Sequence, residues 1–430
     1  NGRIYAIHGY GSVKCTELKP DMSGPIEGTE REIIPEGSGV GEGHHMYKID
    51  GKYYLISTDY LPNGRTLCSR SESIWGPYET CVITADETFG YHAAPLTQVK
   101  GRIMADGTPF GIPEVDRDAT ACSNIHQGGI VEDHEGRWWA LLMQDFHSIG
   151  RTVGLAPITW KDGWPMIGLE GNLGRAPRTW KSPYGVSSER HAPYQRSDEF
   201  DGSVLQPVWQ WNHNPDDKKW MLKGGTLRLY TQAADQLMWA RNTLTQRCIG
   251  PSSESTVELD TRHLKDGDVA GLGNINVPCS WVGIVKEGKQ TVLRCFIQAT
   301  NDTIDQSVVL PNGKIWLRLS GDFDHDRARY HYSTDGHTFH PIGPEMPLSY
   351  QLITFQGSRV SLFAFNHLGH EGGYAAFDHF SVVETQADRS GNIPYGRTIR
   401  IINLATGRPM KATPHGPLHA TAPDDDRPQT

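Results

Sequence analysis

Apolar residues along this chain fall in short runs, most of them alternating with polar residues and punctuated by glycine or proline. Alternation with a period of two marks strands half-buried in a sheet. One phrase recurs: Gly2-Arg3-Ile4-Tyr5 after Asn1, Gly51-Lys52-Tyr53-Tyr54 after Asp50, and Gly136-Arg137-Trp138-Trp139 after Glu135. A polar residue and a glycine turning into an aromatic strand is hairpin chemistry, with glycine supplying the positive φ. The three copies, with other strand-like runs between them, predict blades of a β-propeller. Propellers close with four or more blades, so the expectation is a partial ring whose N-terminal portion lies outside this sequence.

Beyond Trp164-Pro165 the pattern lapses into polar, proline-containing sequence as far as Tyr194, which predicts a linker and a boundary near residue 195. Alternating runs resume at 226–230, 281–285, 315–319 and 360–365, with no helix-period segment between them. They predict a second all-β unit, a sandwich of two sheets. From residue 386 onward there is one strand-like run, 398–402, and then sequence rich in Pro, His and Asp that cannot bury a core alone. The domain reading is therefore a propeller part over 1–195, a β-sandwich over 196–385, and a linker with a tail or the opening of a further module over 386–430.

Composition agrees with short strands and tight turns: Gly 47 and Pro 27 are abundant, and Trp 12, Tyr 16 and Phe 12 are dispersed. The net charge of -9, from 41 basic against 50 acidic residues, is spread without a basic block. That argues against nucleic acid as a partner. No apolar run approaches the roughly 18 to 20 residues of a membrane-spanning helix, so no membrane partner is expected. The seven cysteines, Cys15, Cys68, Cys81, Cys122, Cys248, Cys279 and Cys295, form no CxxC pair. They read as buried free thiols, with one disulfide left open. The sequence begins with Asn1 rather than Met, and no charged-then-apolar leader opens it.

Candidate chemistry sits in three places. Gly41-Glu42-Gly43-His44-His45 stands directly before the run Met46-Tyr47-Lys48-Ile49. Glu42 reads either as a solvated turn residue or as a carboxylic acid near a propeller axis, where glycines let a ligand approach the backbone. Held protonated with help from apolar neighbours such as Tyr47, it would donate a proton to a leaving group. His126-Gln127-Gly128-Gly129 precedes a second strand, and His126 would bond a substrate, ligate a metal, or simply be a satisfied core residue. Arg151, ahead of a third strand, would fork onto vicinal hydroxyls or form a surface salt bridge.

These pieces, in this order and on one repeat system, resemble glycoside hydrolase family 43, five-bladed propellers acting on xylan and arabinan side groups. The stretch from Glu42 through Asp50-Gly51-Lys52-Tyr53-Tyr54 resembles the family's general-acid blade. Ser71-Glu72-Ser73-Ile74-Trp75-Gly76-Pro77-Tyr78-Glu79 and the His126 motif resemble the segments that follow it. The second unit, from Ser197-Asp198-Glu199-Phe200-Asp201-Gly202 through Trp209-Gln210-Trp211 to Ala376-Phe377-Asp378-His379-Phe380, resembles the lectin-like sandwich of the β-xylosidase branch. The resemblance implies a partial five-bladed propeller followed by a concanavalin-like (jelly-roll) β-sandwich. It implies an inverting, exo-acting enzyme releasing xylose or arabinose from xylan or arabinoxylan, placed in a secreted, periplasmic or cell-surface setting. Glu42 becomes the acid, Arg151 a substrate-binding residue, and His126 an axial residue beside a hydrated calcium. Asp201 and Asp378, at the sandwich's first and last strands, are either solvated strand ends or partners at a structural calcium, and the tail over 386–430 either a tail or the start of a further sugar-binding module.

Such an enzyme also uses a base Asp and a tuning Asp upstream of the acid. Glu17, Asp21, Glu27, Glu30, Glu32 and Glu36 lie upstream of Glu42 in turn-like sequence without a matching motif. The expectation is that base and tuning Asp are absent from this chain. It would then be part of an active enzyme, or else a non-catalytic carbohydrate-binding protein whose aromatics stack on sugar rings.

Overall fold

The computed structural model describes residues 2–59, 65–84, 125–171, 173–174, 176–177, 180–185, 195–310, 312–350 and 354–385, with three short strands at 402–403, 408–411 and 419–420. The described residues are all-β, as expected, with single 3-10 turns at His147–Ile149 and Leu237–Trp239. No helix among them is long and apolar enough to cross a membrane.

Three antiparallel meanders form the propeller part. The first is β1 (Ile4–His8), β2 (Val13–Leu18) and β3 (Arg31–Ile34). The second is β4 (Glu42–Ile49), β5 (Lys52–Asp59), β6 (Arg65–Ser71) and β7 (Glu79–Thr84). The third is β8 (His126–Glu132), β9 (Trp138–Phe146), β10 (Gly150–Lys161) and β11 (Trp164–Ile167). The recurring phrase turns into β1, β5 and β9. The phrase thus opens the first strand of the three-stranded meander and the second strand of each four-stranded one. The phrase's aromatic residues converge on Trp160: Tyr54 meets it edge-on from the neighbouring blade and Trp138 from within its own blade, each at 5.4 Å between centroids. The Arg70 guanidinium lies 3.8 Å from the Trp164 ring centroid and donates to the Asp162 carbonyl at 2.8 Å, tying β6 to the β10–β11 turn.

Two seven-stranded sheets make the sandwich. In spatial order the first holds Gln210–Trp211, Leu244–Arg247, Arg359–Asn366, Asp268–Ile275, Ser280–Glu287, Gln290–Ile297 and Asp302–Ser307. The second holds Trp220–Leu222, Leu227–Tyr230, Tyr374–Thr385, Ser252–Asp260, Lys314–Asp322, Arg327–Ser333 and His340–Pro347. The main core lies between them, with Leu272, Val282, Leu317, Leu362 and Phe377 fully buried. The first sheet is buried on its outer face as well, where Trp281, Phe363 and Phe365 pack with Leu237. A side chain at Gly273 would come within 2.8 Å of the Leu237 Cδ2, so the glycine makes room for this cover. Several aromatics that a stacking role would need are thus internal, whereas Trp239 and Phe355 are 66% and 62% exposed.

Residues Asn1–Thr385 form one compact unit. Its two parts meet at the turn between β9 and β10. Ile149 enters the sandwich core, the Ser358 N–H donates to the Ser148 carbonyl at 2.7 Å, and the Ser148 N–H donates to Asp326 Oδ1 at 2.7 Å. His147 Nδ1 stands 3.1 Å from Asp326 Oδ2. A Cβ on Gly357 would fall 1.7 Å from the Ile149 carbonyl oxygen, and one on Gly150 would fall 2.7 Å from the Gly357 nitrogen. The second unit, Gln386–Thr430, contains the short antiparallel strands Ile402–Asn403, Arg408–Lys411 and His419–Ala420. Most of the predicted run 398–402 lies outside the described residues, as does Cys122. The other six cysteines are free thiols, five of them buried.

Gly357→Ala is expected to force the two parts away from their contact and cost about 1–3 kcal/mol, the usual range for overpacking. Calorimetry should register a lower Tm, while Ser358→Ala, which keeps the backbone donor, should leave it nearly unchanged. Equal Tm values for Gly357→Ala and the parent protein would remove this contact from the stability of the fold.

Candidate functional site

Glu42 and His126 do not precede their strands, as the sequence suggested, but open them. The cause is a bulge at the head of each: the register shifts between Glu42 and His45 opposite β5, and between His126 and Gly128 opposite β9. A bulge sets two residues against one and re-aims the side chains beside it. Gly43 and Gln127 both take positive φ, 70° and 51°. A Cβ on Gly43 would lie 2.6 Å from the Gln127 Cγ, so Gly43 leaves the space that Gln127 fills. The Gln127 amide Nε2 reaches Glu42 Oε1 at 3.4 Å. It links the blade of Glu42 to the blade of His126, and the sequence reading missed it; its position within the His126 motif was the available signal.

The paired glycines of that motif have separate packing reasons. A Cβ on Gly128 would strike the Leu141 carbonyl at 2.2 Å, and one on Gly129 would strike the Tyr47 hydroxyl at 2.3 Å. Tyr47 accepts a hydrogen bond from the Ile130 N–H at 2.9 Å. Tyr47, five residues along β4 from Glu42, thereby joins β4 to β8. His44 holds β4 on its other side, with Nδ1 2.9 Å from the Ser57 hydroxyl and Nε2 3.1 Å from the Gly9 carbonyl. His126 is 2% exposed and pairs across from Met143.

Arg151 is the second residue of β10, rather than preceding it, and lies opposite Asp145 on β9. Since Met143 faces His126, Arg151 belongs to the same end of the sheet, two strands farther out. Its guanidinium carbon stands 5.0 Å from the ring centroid of Phe355 in the sandwich, and its carbonyl accepts from Arg247 Nη2. Glu42, His126 and Arg151 therefore share one end of the propeller part, and Phe355 brings the sandwich to it. No local pattern could have announced Phe355, since the contact spans two domains.

Among the described residues, one group brings three potential metal-ligand atoms together: Glu199, Asp378 and His379, within 4.8 Å of one another. Asp378 was expected with Asp201, but Asp201 is exposed, sits outside any strand and is not in this group. The reason is a long-range backbone pairing. A bridge between Asp198 and Phe380 places Glu199 over the strand Tyr374–Thr385, and His379 Nδ1 lies 2.5 Å from Glu199 Oε2. Burial, helped by the Glu258 and Glu199 charges, raises the Asp378 pKa against the hydrogen bond from the His379 N–H and the His379 charge.

A propeller meander carrying an acid at the head of one inner strand, joined to a lectin-like sandwich, defines a class of carbohydrate-active proteins. The chain belongs to family 43 of the glycosyl hydrolases: residues 1–165 match "Glycosyl hydrolases family 43" and residues 197–383 match "Beta xylosidase C-terminal Concanavalin A-like domain". A putative beta-xylosidase of Xylanibacter ruminicola is 29% identical over 80% of this chain, which spans 58% of that protein. A non-reducing end alpha-L-arabinofuranosidase of Bacteroides ovatus is 28% identical over 53% of the chain, spanning 40% of that protein. A solved bifunctional GH43-CE protein of Bacteroides eggerthii superposes with a TM-score of 0.71 at 30% identity, over 90% of this chain and 47% of the other. The chain thus spans about half the length of these relatives.

The His44 pKa is lowered by burial, which outweighs the Gly9 carbonyl and the Glu42 charge. The native state then holds His44 neutral, and the unfolded chain takes up a proton first as pH falls through the ordinary value of 6.5. Stability from His44 is present above that value and is lost as pH falls through the depressed native one. NMR titration of the His44 ring should give a midpoint below 6.5; a midpoint above it would contradict the burial described.

Proposed function

We propose that this chain carries the general-acid side of an inverting, exo-acting glycosidase that releases xylose or arabinose from xylan- or arabinoxylan-derived substrates. The observation that carries the reading is Glu42 at the head of β4, held by the Gln127 amide across the blade boundary. The names of the relatives, β-xylosidase and α-L-arabinofuranosidase, support the substrate class. The setting that fits a polymeric substrate is secreted, periplasmic or cell-surface.

In this reading Glu42 protonates the departing glycosidic oxygen while a base carboxylate, roughly 6.5–9.5 Å away, directs water to the opposite face of the sugar. Arg151 donates to hydroxyls of the terminal sugar, and the Phe355 ring, 5.0 Å from its guanidinium carbon, shapes the rim. Calcium takes oxygen ligands. The imidazole of His126 would therefore hold a water of the ion rather than the ion itself, which suits a buried nitrogen donor.

Glu42→Gln, made in the protein as its organism produces it, is expected to slow xylobiose hydrolysis by about 10²–10⁴-fold, the usual contribution of a positioned acid. The loss should be smaller on nitrophenyl xyloside or arabinoside, whose leaving groups need little protonation, and binding should persist. Equal losses on both substrates would remove Glu42 from the acid role. Dialysis against a chelator should lower activity and added calcium restore it; full activity after chelation would remove the ion.

A further inference from the structure

At the end of the sandwich away from the propeller lies an open cleft of about 830 Å³, within the usual range of small-ligand sites. Its walls come from both sheets and from the connection that precedes Lys314. The strand Ser252–Asp260 begins beside the propeller contact and ends at this cleft, eight residues or about 26 Å along a β-strand. The cleft is therefore remote from Glu42.

Its charge is the informative feature. Arg262, Lys286 and Lys314 line it, with no acidic residue among the lining groups, on a chain whose net charge is -9. Lys314 is paired with the buried Glu258, and Arg262 with Asp260. Among the described residues Lys286 has no carboxylate partner; its ammonium donates to the Thr291 hydroxyl at 2.7 Å. One uncommitted positive charge remains. It suits a monoanion, whereas a phosphate dianion would call for several free donors.

The surroundings of that charge suit a sugar. Val308 and Leu310, half-buried against the main core, offer an apolar wall, and the Thr261 and Thr291 hydroxyls flank it. The shape is fixed by backbone. Thr261 donates to the Gly313 carbonyl from both N–H and hydroxyl, at 2.8 and 2.9 Å. Gly313, at φ 69°, has no side chain where a Cβ would fall 2.3 Å from the Arg262 Cγ. The loop after Asp260 and the loop before Lys314 are thereby stitched into one rim.

We propose that this cleft binds the carboxylate of a uronic-acid substituent on a xylo-oligosaccharide, with Lys286 as the ion-pairing residue. The carbohydrate part of the assignment rests on the glycosidase reading above. The cleft then acts as a distal anchor that holds acidic xylan on the enzyme while a chain end is processed elsewhere.

Calorimetric titration of the protein as its organism produces it, with a glucuronosyl-xylotriose, xylotriose and inorganic phosphate as probes, tests this. The expected result is that the acidic saccharide binds in a salt-sensitive manner and that Lys286→Gln weakens it roughly ten- to a hundredfold, as for a charge-assisted hydrogen bond. Lys286→Arg should retain most of the affinity, and Glu42→Gln should not alter it. Xylotriose hydrolysis should be unchanged in Lys286→Gln. Unchanged affinity in Lys286→Gln, equal binding of the neutral saccharide, or phosphate binding as tightly as the acidic saccharide would each overturn the proposal. Failure of the glycosidase reading is registered separately, by lost or Glu42-independent hydrolysis.

Discussion

Where the propeller part and the sandwich meet, main chain lies against main chain. Gly357 rests against the Ile149 carbonyl and Gly150 against the Gly357 nitrogen, at distances that admit no side chain on either glycine. Contacts between side chains can slide through alternative rotamers, but backbone against backbone has one arrangement. The hydrogen bonds on either side, from the Ser358 N–H to the Ser148 carbonyl and from the Ser148 N–H to Asp326, fix the direction of the chain through the contact. The place of Phe355 over Arg151 follows from it, since Phe355 lies two residues before Gly357 and Arg151 one residue after Gly150.

The same logic operates at the candidate acid. Gly43 and the pair Gly128–Gly129 make possible, in turn, the reach of Gln127 to Glu42, the packing of β8 on β9 and the bond between Tyr47 and Ile130. Glycines flanking a polar residue thus serve here less as flexible hinges than as absences that neighbouring groups occupy.

Much of the fold was legible because its signals are local. The turn of Gly51 or Gly136 into aromatic strands, and the alternation of 315–319 or 360–365, depend on neighbours within a few residues, and each lies in a strand. Glu42, His126 and Arg151 were visible as residue types in motifs, and the register places them at one end of the sheets. What stayed hidden depends on distant chain segments. Phe355 reaches Arg151 from another domain, and Glu199 meets His379 through a bridge at Asp198. Gln127 was hidden for another reason: a positive φ at a non-glycine residue is set by the bulge, and sequence alone gave no reason to expect it.

The double burial of the sandwich's first sheet bears on how this protein can change. A sheet with one wet face offers a field of positions where substitutions are tolerated and new contacts can be selected, as lectin surfaces do. Here Trp281, Phe363 and Phe365 are sealed beneath Leu237, so both faces of the central strands answer to packing. Variation that alters what the sandwich touches has to arise at its ends and loops, and replacements along the central strands will be constrained as core residues are, however many aromatic rings they seem to offer.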